Sequence, residues 1–278
     1  MPEGPEVKYI TNFLNNNIKN EVIYKVTING GRYKKNGPPK GFNSFIKELP
    51  IKVSSVNCYG KFMWWEFENT DITLWNTLGM SGWWNFNEDN KHNNVSFYLK
   101  DEENNILNFK DVRNFGTFIF CSKENLKNKL SKFGPDILDY DATNKDKGFT
   151  LFKKKLNKKR KDTLIASALL DQGVASGCGN YIRSEVLYLA EISPFRKLED
   201  LSEDDIKLIW NLLQQVAFNY YNKKLGKKLG IIDGKFKFAE DYKRQFLVYT
   251  QDIDIKGNKI IHEKIKDRTI HYVPKLQK

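Results

Sequence analysis

Cysteine and long apolar runs are both scarce in this chain. Three cysteines in 278 residues, Cys58, Cys121 and Cys178, are too few and too scattered for a disulfide framework, so we expect reduced thiols with structural roles. No apolar run approaches the roughly 18 residues that a membrane span needs, and the N-terminus lacks the basic-then-apolar order of a signal peptide. The sequence therefore predicts a soluble, intracellular protein that is not embedded in a membrane.

Acidic residues are also in the minority. Lysine and arginine total 46 against 34 aspartates and glutamates, which gives a formal charge of +12. This excess favours a polyanionic partner, with nucleic acid first and an anionic membrane surface second. The length and a hydrophobic content of 40% predict a sizeable core and about two domains.

Two kinds of hydrophobic pattern divide the chain. Residues 20–122 contain short aromatic and β-branched runs, which predict a β-sandwich or barrel, and the polar residues 101–105 between two such runs predict a hairpin. From about Thr150, apolar residues recur at helical spacing in three segments, and Ser202 is expected to cap the third helix. The residues expected on the apolar faces are Leu164, Ile165, Ala168, Leu169, Ile182, Val186, Leu189, Ile206, Ile209, Leu213, Ala217 and Tyr220.

The C-terminal part is predicted to contain a loop and a hairpin. Residues 223–241 are rich in glycine and lysine, which is typical of a flexible loop. In residues 252–273, isoleucine alternates with polar residues on both sides of the sequence KGNK, as in a two-stranded hairpin.

The opening sequence MPEGPE allows two interpretations. Pro5 at the first helical position and Glu6 in the first turn are typical of an ordinary helix start. If Met1 is removed, however, Pro2 becomes a free secondary amine with Glu3 and Glu6 nearby, which is a nucleophile with acids beside it. These residues alone leave both interpretations open.

Other stretches are equally ambiguous when taken alone. The glycine-rich residues 173–185 could hold a phosphate at a helix N-terminus, or could form a plain turn with Asn180 as the N-cap. Lys61 precedes an apolar strand and would ordinarily be solvated. Met80 and Phe115, each beside a tight turn, would ordinarily belong to a core.

Taken together, these stretches resemble one family. PEGPEV, the lysine at position 61, LGMSG, DVRNFG, FGPDIL, LLDQGVASGCGNYIRSE and DRTIHYVPKLQ follow the order found in the Fpg/Nei DNA glycosylases across nearly the whole chain. The opening motif and the Asn-Tyr-x-Arg-x-Glu run are more similar to the endonuclease VIII side. The resemblance implies a β-sandwich catalytic domain (1–149), a helix-two-turn-helix domain with a lesion loop (150–241) and a C-terminal finger (242–278).

The resemblance also implies roles for individual residues. Pro2 would attack C1′ of the damaged nucleotide, Glu3 would assist sugar-ring opening, Lys61 would act as general acid and phosphate contact, and Glu6 would support the site. Met80, Arg113 and Phe115 would fill the space that the flipped base leaves, with Arg113 facing the orphaned base. Asn180, His92 and Arg268 match positions that contact the DNA backbone, and Arg268 would also aid the second elimination.

The finger departs from the family pattern. Most members hold it with a four-cysteine zinc site, but Ile253, Lys256, Val273 and Leu276 stand at those positions here, and none of them can bind zinc. His262 and His271 are the remaining candidate ligands and make a poor site, so we expect no metal and no cofactor. The chain is thus similar to the zincless-finger enzymes of animals and some viruses. Ala166 also stands where formamidopyrimidine-type members carry a phosphate-binding lysine, and that contact is either supplied by Lys161 or missing.

The leading interpretation is a bifunctional glycosylase and AP lyase of base excision repair. It would excise oxidised bases, preferentially pyrimidines, through a Schiff base on Pro2, and then cleave the strand by β,δ-elimination. The alternatives are a non-catalytic DNA-binding protein, or a glycosylase that prefers oxidised purines or hydantoins. We expect a monomer that acts on double- or single-stranded damaged DNA in the nucleus, the cytoplasm or a viral compartment.

Overall fold

The chain forms two compact units. The computed structural model describes residues 2–86, 90–99, 105–139, 145–225, 231–232, 236–237 and 246–278, with the backbone alone at Lys145, 231–232 and 236–237. The first unit comprises Met1–Pro2 and Glu6–Lys132, and the second comprises Glu3–Pro5 and Phe133–Lys278. None of the described helices is long and apolar enough to cross a membrane.

The first unit is a β-sandwich, as predicted. One sheet has the strand order β1-β3-β4-β5-β9 and the other β2-β7-β8-β6, and every pairing is antiparallel. The strands are β1 (Val22–Ile23), β2 (Lys25–Ile28), β3 (Ile51–Tyr59), β4 (Phe62–Phe67), β5 (Ile72–Thr77), β6 (Gly82–Phe86), β7 (Asn93–Tyr98), β8 (Ile106–Asp111) and β9 (Thr117–Ser122). The helices are α1 (Gly4–Ile18), α2 (Gly31–Asn36), α3 (Phe42–Phe45) and α4 (Lys123–Leu130).

Aromatic side chains fill the space between the two sheets. Trp65 on β4 and Trp84 on β6 are fully buried, and their rings lie 5.1 Å apart. Alternation along each strand places these large side chains on the inner face, so their burial drives the sheets together. The expected hairpin is present as the pairing of β7 with β8 up to Tyr98 and Ile106, while its turn residues 100–104 lie outside the described residues.

The second unit combines helices with a C-terminal hairpin. Its elements are α5 (Lys145–Leu156), α6 (Ile165–Leu170), α7 (Asn180–Leu189), α8 (Glu203–Lys224), β10 (Ile231–Ile232), β11 (Phe236–Lys237), β12 (Ile261–Ile265) and β13 (Arg268–Tyr272). Ser202 caps α8 as predicted: its Oγ accepts a bond from Asp205 N, and the Asp205 carboxylate accepts one from Ser202 N. The predicted apolar faces lie in one core, which also includes Leu247, Ile260 and Ile270 from the predicted finger.

Three sequence predictions for this unit need correction. Helix α5 was not predicted, and it begins at Lys145, before the expected change of pattern at Thr150. The main hairpin turns at Lys266–Asp267 rather than at KGNK, where a tight turn forms the single bridge Ile253 to Lys259. The predicted loop 223–241 contains the end of α8 and the short β10–β11 pair, and its other residues lie outside the described part of the chain.

Candidate functional site

In the second unit, the N-terminus of α7 holds the carboxylate of Glu3. Glu3 is 1% exposed, and its two oxygens accept bonds from Tyr181 N (2.9 Å) and Ile182 N (3.3 Å). A helix N-terminus presents unpaired N–H groups and a positive dipole end, so a carboxylate is stabilised there. This arrangement fixes Glu3, and the residue that directly precedes Glu3 in the chain is Pro2.

The glycine-rich turn before α7 makes this approach possible. Gly4 N donates to the Gly177 carbonyl at 2.9 Å, and a Cβ on Gly4 would lie 3.1 Å from Gly177 Cα. Gly177 itself has φ +96°, a conformation that glycine adopts without strain. The first helix turn therefore binds a carboxylate of its own chain, a possibility that the sequence interpretations of this stretch did not include.

Asn180 begins α7 and does not cap it, because Gly179 occupies the N-cap position. The Asn180 side chain is instead held by two partners: Nδ2 donates to the Thr269 carbonyl at 2.8 Å, and Oδ1 accepts from Arg183 at 2.6 Å. Thr269 follows Arg268, whose side chain is 41% exposed at the start of β13. Two residues that the sequence connects with DNA, Asn180 and Arg268, are thus brought to one place.

Arg183, the arginine of the Asn-Tyr-x-Arg-x-Glu run, orients the Asn180 side chain. Its side chain is fully buried and donates to the Ala166 carbonyl (2.9 Å) as well as to Asn180. Among the described residues, no carboxylate forms an ion pair with it, and its Nε has no hydrogen-bond partner. Burial lowers the pKa of this guanidinium to about 10. Ala166 is itself fully buried, so its side chain cannot replace the missing lysine contact.

Three predicted catalytic residues lie in the first unit. Pro2 is half-buried, and Glu6 lies in the first turn of α1, where its charge also suits the helix dipole. Lys61 is half-buried in the tight turn between β3 and β4, where Gly60 adopts φ +57°. Within the described ranges, Lys61 forms no ion pair, so its ammonium group is available to an anionic ligand.

Met80, Arg113 and Phe115 lie on two adjoining loops of the first unit. Ser81 donates to the Asp111 carboxylate at 2.5 Å and accepts from Arg113 N at 2.9 Å. The same carboxylate accepts from Gly116 N at 2.7 Å, so one buried side chain shapes the whole loop 111–116. No role is predicted above for Asp111, although an aspartate at the end of a strand and before a turn is a usable signal.

The tip of this loop is exposed, which corrects the interpretation of Phe115 as a core residue. Phe115 is 53% exposed and Val112 is 50% exposed, and the Arg113 guanidinium lies 5.4 Å from the centre of the Phe115 ring. Met80, on the neighbouring loop, is half-buried. His92 lies beside the loop, since its carbonyl accepts a bond from Asp111 N at 3.0 Å. Exposed apolar side chains on a rigid loop suit insertion between stacked bases.

The finger positions do not fit a metal. Ile253 is 52% exposed, Val273 is fully buried and Leu276 packs against the core, and an aliphatic side chain offers no lone pair to zinc. His262 and His271 face each other across β12 and β13 with their rings 4.5 Å apart. In the described part of the chain, no group of three or more His, Cys, Asp or Glu side chains could hold a metal ion.

Family models match most of the chain. Residues 1–118 match the formamidopyrimidine-DNA glycosylase N-terminal domain, and residues 138–219 match the formamidopyrimidine-DNA glycosylase H2TH domain. A β-sandwich followed by this helical module and a terminal hairpin defines the class: a DNA glycosylase with AP lyase activity, which acts on damaged bases in base excision repair.

Individual relatives agree with the family models. The formamidopyrimidine-DNA glycosylase of Wolbachia from Brugia malayi is 35% identical over 73% of this chain and 71% of the relative, and that of Prochlorococcus marinus is 29% identical over the full length of both. Two Lactococcus lactis Fpg structures, with abasic-site DNA and with oxidised-pyrimidine DNA, align over 99% of each chain at TM-scores of 0.79 and 0.78 and identities of 26% and 25%. The chain belongs to the formamidopyrimidine-DNA glycosylase family.

Proposed function

We propose that this protein excises oxidised bases, pyrimidines in preference, through a Schiff base on Pro2, and then cleaves the strand by β,δ-elimination. The observation that carries the proposal is the fixed carboxylate of Glu3, held by two backbone N–H groups directly after Pro2. A non-catalytic DNA-binding protein would have no use for a terminal secondary amine followed by an anchored acid. L. lactis Fpg complexes with an oxidised pyrimidine and with Fapy-dG support damaged bases as the substrate class, and the pyrimidine preference rests on the endonuclease VIII-like motifs of the sequence.

The chemistry follows from the residue types. A terminal α-amine has a pKa near 8, well below about 10.4 for lysine, so a useful fraction is unprotonated at neutral pH. The Pro2 nitrogen attacks C1′, and the base leaves with the electron pair of the glycosidic bond. Glu3 takes up the proton lost from the attacking Pro2 nitrogen and donates it to the ring oxygen. The bond between C1′ and that oxygen breaks, and the nitrogen lone pair forms the iminium between Pro2 and C1′.

The iminium then drives strand cleavage. It withdraws electrons and acidifies the 2′ hydrogen, so loss of that proton forms a double bond and expels the 3′ phosphate. A second elimination expels the 5′ phosphate, and hydrolysis releases Pro2. Lys61 and Arg268 would balance the charge of these leaving phosphates, and Asn180 and His92 would hold the flanking backbone.

The exposed loop tips would maintain the extrahelical state. Flipping a base costs a few kcal/mol and leaves a space in the duplex. Met80, Phe115 and Arg113 would fill that space, and the guanidinium of Arg113 would face the orphaned base. We expect a monomer, located inside the cell wherever its DNA substrate lies.

Borohydride trapping tests the proposal. Untagged protein is incubated with duplex DNA carrying dihydrouracil, an abasic site, or 8-oxoguanine opposite cytosine, and the adducts are mapped by mass spectrometry. We expect an adduct at Pro2 on dihydrouracil and on the abasic site, and loss of trapping in Pro2→Gly with DNA binding retained. Pro38→Gly, at an exposed proline of the same unit, is the matched control.

The other outcomes separate the alternatives. Trapping that survives Pro2→Gly with the adduct mapped to a residue other than position 2 would exclude Pro2 as the nucleophile. Adducts confined to 8-oxoguanine would shift the substrate class to oxidised purines. Binding without any adduct would leave the non-catalytic DNA-binding protein as the better interpretation.

A further inference from the structure

The finger of this protein forms two tight turns without ligands for a metal. The four positions at which the resemblance places zinc ligands fall in two pairs, residues 253 and 256 in the first turn and residues 273 and 276 in the second. Both turns are nevertheless closed by backbone hydrogen bonds, including Gly257 N to Asp254 O (3.3 Å) and Leu276 N to Val273 O (3.0 Å). Something other than a metal must therefore define each turn.

In the first turn, the carboxylate of Asp254 takes this role. Asp254 is 2% exposed, and its Oδ1 accepts from Lys256 N (2.9 Å) and Asn258 N (2.7 Å). Its Oδ2 accepts from Asn258 Nδ2 (3.0 Å) and from the hydroxyl of Tyr188 on α7 (3.1 Å). One carboxylate thus gathers the turn and attaches it to a helix. Hydrogen bonds to an ionised acceptor are stronger than neutral ones.

In the second turn, the amide of Gln277 does the same. Gln277 is 4% exposed; its Oε1 accepts from Val273 N at 2.7 Å, and its Nε2 donates to the Ile192 carbonyl at 3.0 Å. Ile192 follows α7 in the chain, so both turns are attached to the same helical segment. The next residue repeats the attachment, because Lys278 N donates to the Glu191 carbonyl at 3.1 Å.

The hairpin β12–β13 lies between these two turns in the chain, and Arg268 occupies its tip. We propose that Asp254 and Gln277 replace the structural metal of the finger, and that they act as positioning residues which hold Arg268 toward the DNA. The second half of this statement rests on the proposed function, in which Arg268 binds a phosphate at the lesion. The first half concerns the free protein alone.

Hydrogen exchange of the free protein tests the claim that Asp254 and Gln277 replace the structural metal of the finger. In Asp254→Ala, the amides of Lys256 and Asn258 should exchange at least tenfold faster than in the parent, and in Gln277→Ala the amide of Val273 should do so. Glu263→Ala is the matched control, because Glu263 is an exposed finger carboxylate whose one hydrogen-bond donor among the described residues is a side chain, the Tyr272 hydroxyl (2.9 Å). Parent-like protection of all three amides would overturn the proposal.

A milder change covers the case in which Asp254→Ala fails to fold. Tyr188→Phe removes one hydroxyl and keeps the ring, so the first turn loses its attachment to α7 while the packing is retained. We expect faster exchange at Lys256 and Asn258 in this variant too, with an unchanged circular dichroism spectrum. An exchange pattern identical to the parent's would contradict the role of the Asp254–Tyr188 contact.

DNA binding tests the claim that Asp254 and Gln277 hold Arg268 toward the DNA. With duplex DNA carrying a tetrahydrofuran abasic analogue, we expect Asp254→Ala and Gln277→Ala to bind at least tenfold more weakly than the parent, and Glu263→Ala to bind equally well. Cleavage of a natural abasic site should show a raised KM, and the eliminations, whose leaving phosphates Arg268 would balance, should slow more than borohydride trapping at Pro2. Parent-like affinity would refute the positioning role, whereas a parent that binds no damaged DNA would refute the proposed function and leave the exchange result standing.

Restoring the metal is the strongest form of the test. Asp254→Ala combined with Ile253→Cys, Lys256→Cys, Val273→Cys and Leu276→Cys offers four thiolates at the pattern's positions. If the carboxylate replaces a metal, this variant should bind one equivalent of Zn²⁺ and regain slow exchange at Asn258 when zinc is added. If zinc binds and the Asn258 amide still exchanges fast, the Asp254 carboxylate does not do the work of a metal in this turn.

Discussion

Arg183 keeps its charge inside the second unit, and burial lowers its pKa to about 10. Desolvating a cation without an ion pair costs stability, yet its two hydrogen bonds satisfy the Ala166 carbonyl and the Asn180 amide oxygen. The desolvation cost and the two hydrogen bonds therefore have opposite effects on the free energy of unfolding. The bond to Oδ1 also fixes which end of the Asn180 amide is the donor, so Arg183 would influence DNA binding through Asn180.

A double-mutant cycle checks this influence. We expect Arg183→Met to change the free energy of unfolding by less than about 2 kcal/mol. Removing the desolvated charge stabilises the fold, and this gain offsets the loss of the two hydrogen bonds that Arg183 donates. Binding of abasic-analogue DNA should weaken about tenfold, or about 1.4 kcal/mol. In an Asn180→Ala background, Arg183→Met should cause no further loss of affinity. Additive losses would show that Arg183 acts independently of Asn180.

His271 gives the second unit a pH dependence. Burial, together with the nearby His262 and Arg183, lowers its pKa from 6.5 to about 4, and in the described part of the molecule its Nδ1 has no hydrogen-bond partner. The folded protein therefore holds His271 neutral between about pH 6.5 and pH 4, whereas the unfolded chain binds a proton there. The free energy of unfolding should fall as the pH decreases through this window, by at most about 3 kcal/mol.

Urea unfolding at pH 7, 6 and 5 measures this dependence. The parent should lose more stability between pH 7 and pH 5 than His271→Phe, which keeps an aromatic ring against Tyr249 and cannot be protonated. His92→Gln, in the first unit, is the control for a histidine outside this environment. Equal pH slopes for the parent and His271→Phe would show that His271 does not titrate between the two states in this range.

At the scale of elements, the loop 111–116 depends on a single carboxylate. Asp111 accepts from Ser81 Oγ, Arg113 N and Gly116 N, and its own carbonyl accepts from Asn94 Nδ2 at 2.9 Å. Such a network holds the exposed tip in one conformation before DNA arrives. Binding therefore does not have to supply the entropy of ordering the loop.

Loosening this loop should reduce activity on duplex DNA. We expect Asp111→Ala to lower kcat/KM on duplex dihydrouracil about tenfold, because the insertion residues are no longer held in place. Cleavage of an abasic site in single-stranded DNA, which leaves no space to fill, should change less than threefold. Asp71→Ala, at an exposed bend directly before β5 in the same unit, is a suitable control. An equal loss on both substrates would place the effect in the chemistry or the fold rather than in the loop.

How far the sequence predicts these elements depends on where their signals lie. The sandwich strands and the Ser202 cap were predictable, because alternation and capping are local patterns. Helix α5 was missed because Gly148 lowers its helix propensity; yet a Cβ at Gly148 would lie 2.7 Å from Trp210, so the glycine serves packing. The hairpin turn was misplaced because the Asp254 side chain, rather than strand pairing, defines the KGNK turn.

At the scale of the whole molecule, each unit has its own hydrophobic core. Residues Glu3–Pro5 belong to the second unit although they precede Glu6–Lys132, which form most of the first. Local patterns could not predict this arrangement. Nothing in the sequence PEGPEV indicates that Glu3 lies on the N-terminus of a helix 178 residues further along the chain. Only the resemblance connected the N-terminus with the Asn180 motif, and it gave no contact between them.

The tryptophans are distributed very unevenly between the two cores. Five of the six, including Trp65 and Trp84, lie in the first unit, and Trp210, stacked on Phe152, lies in the second. Intrinsic fluorescence is therefore an optical label for each unit in the native sequence. With Trp210 replaced and indole excited selectively over tyrosine, the remaining tryptophan emission comes from the sandwich alone, so the unfolding of one unit can be followed without an attached dye.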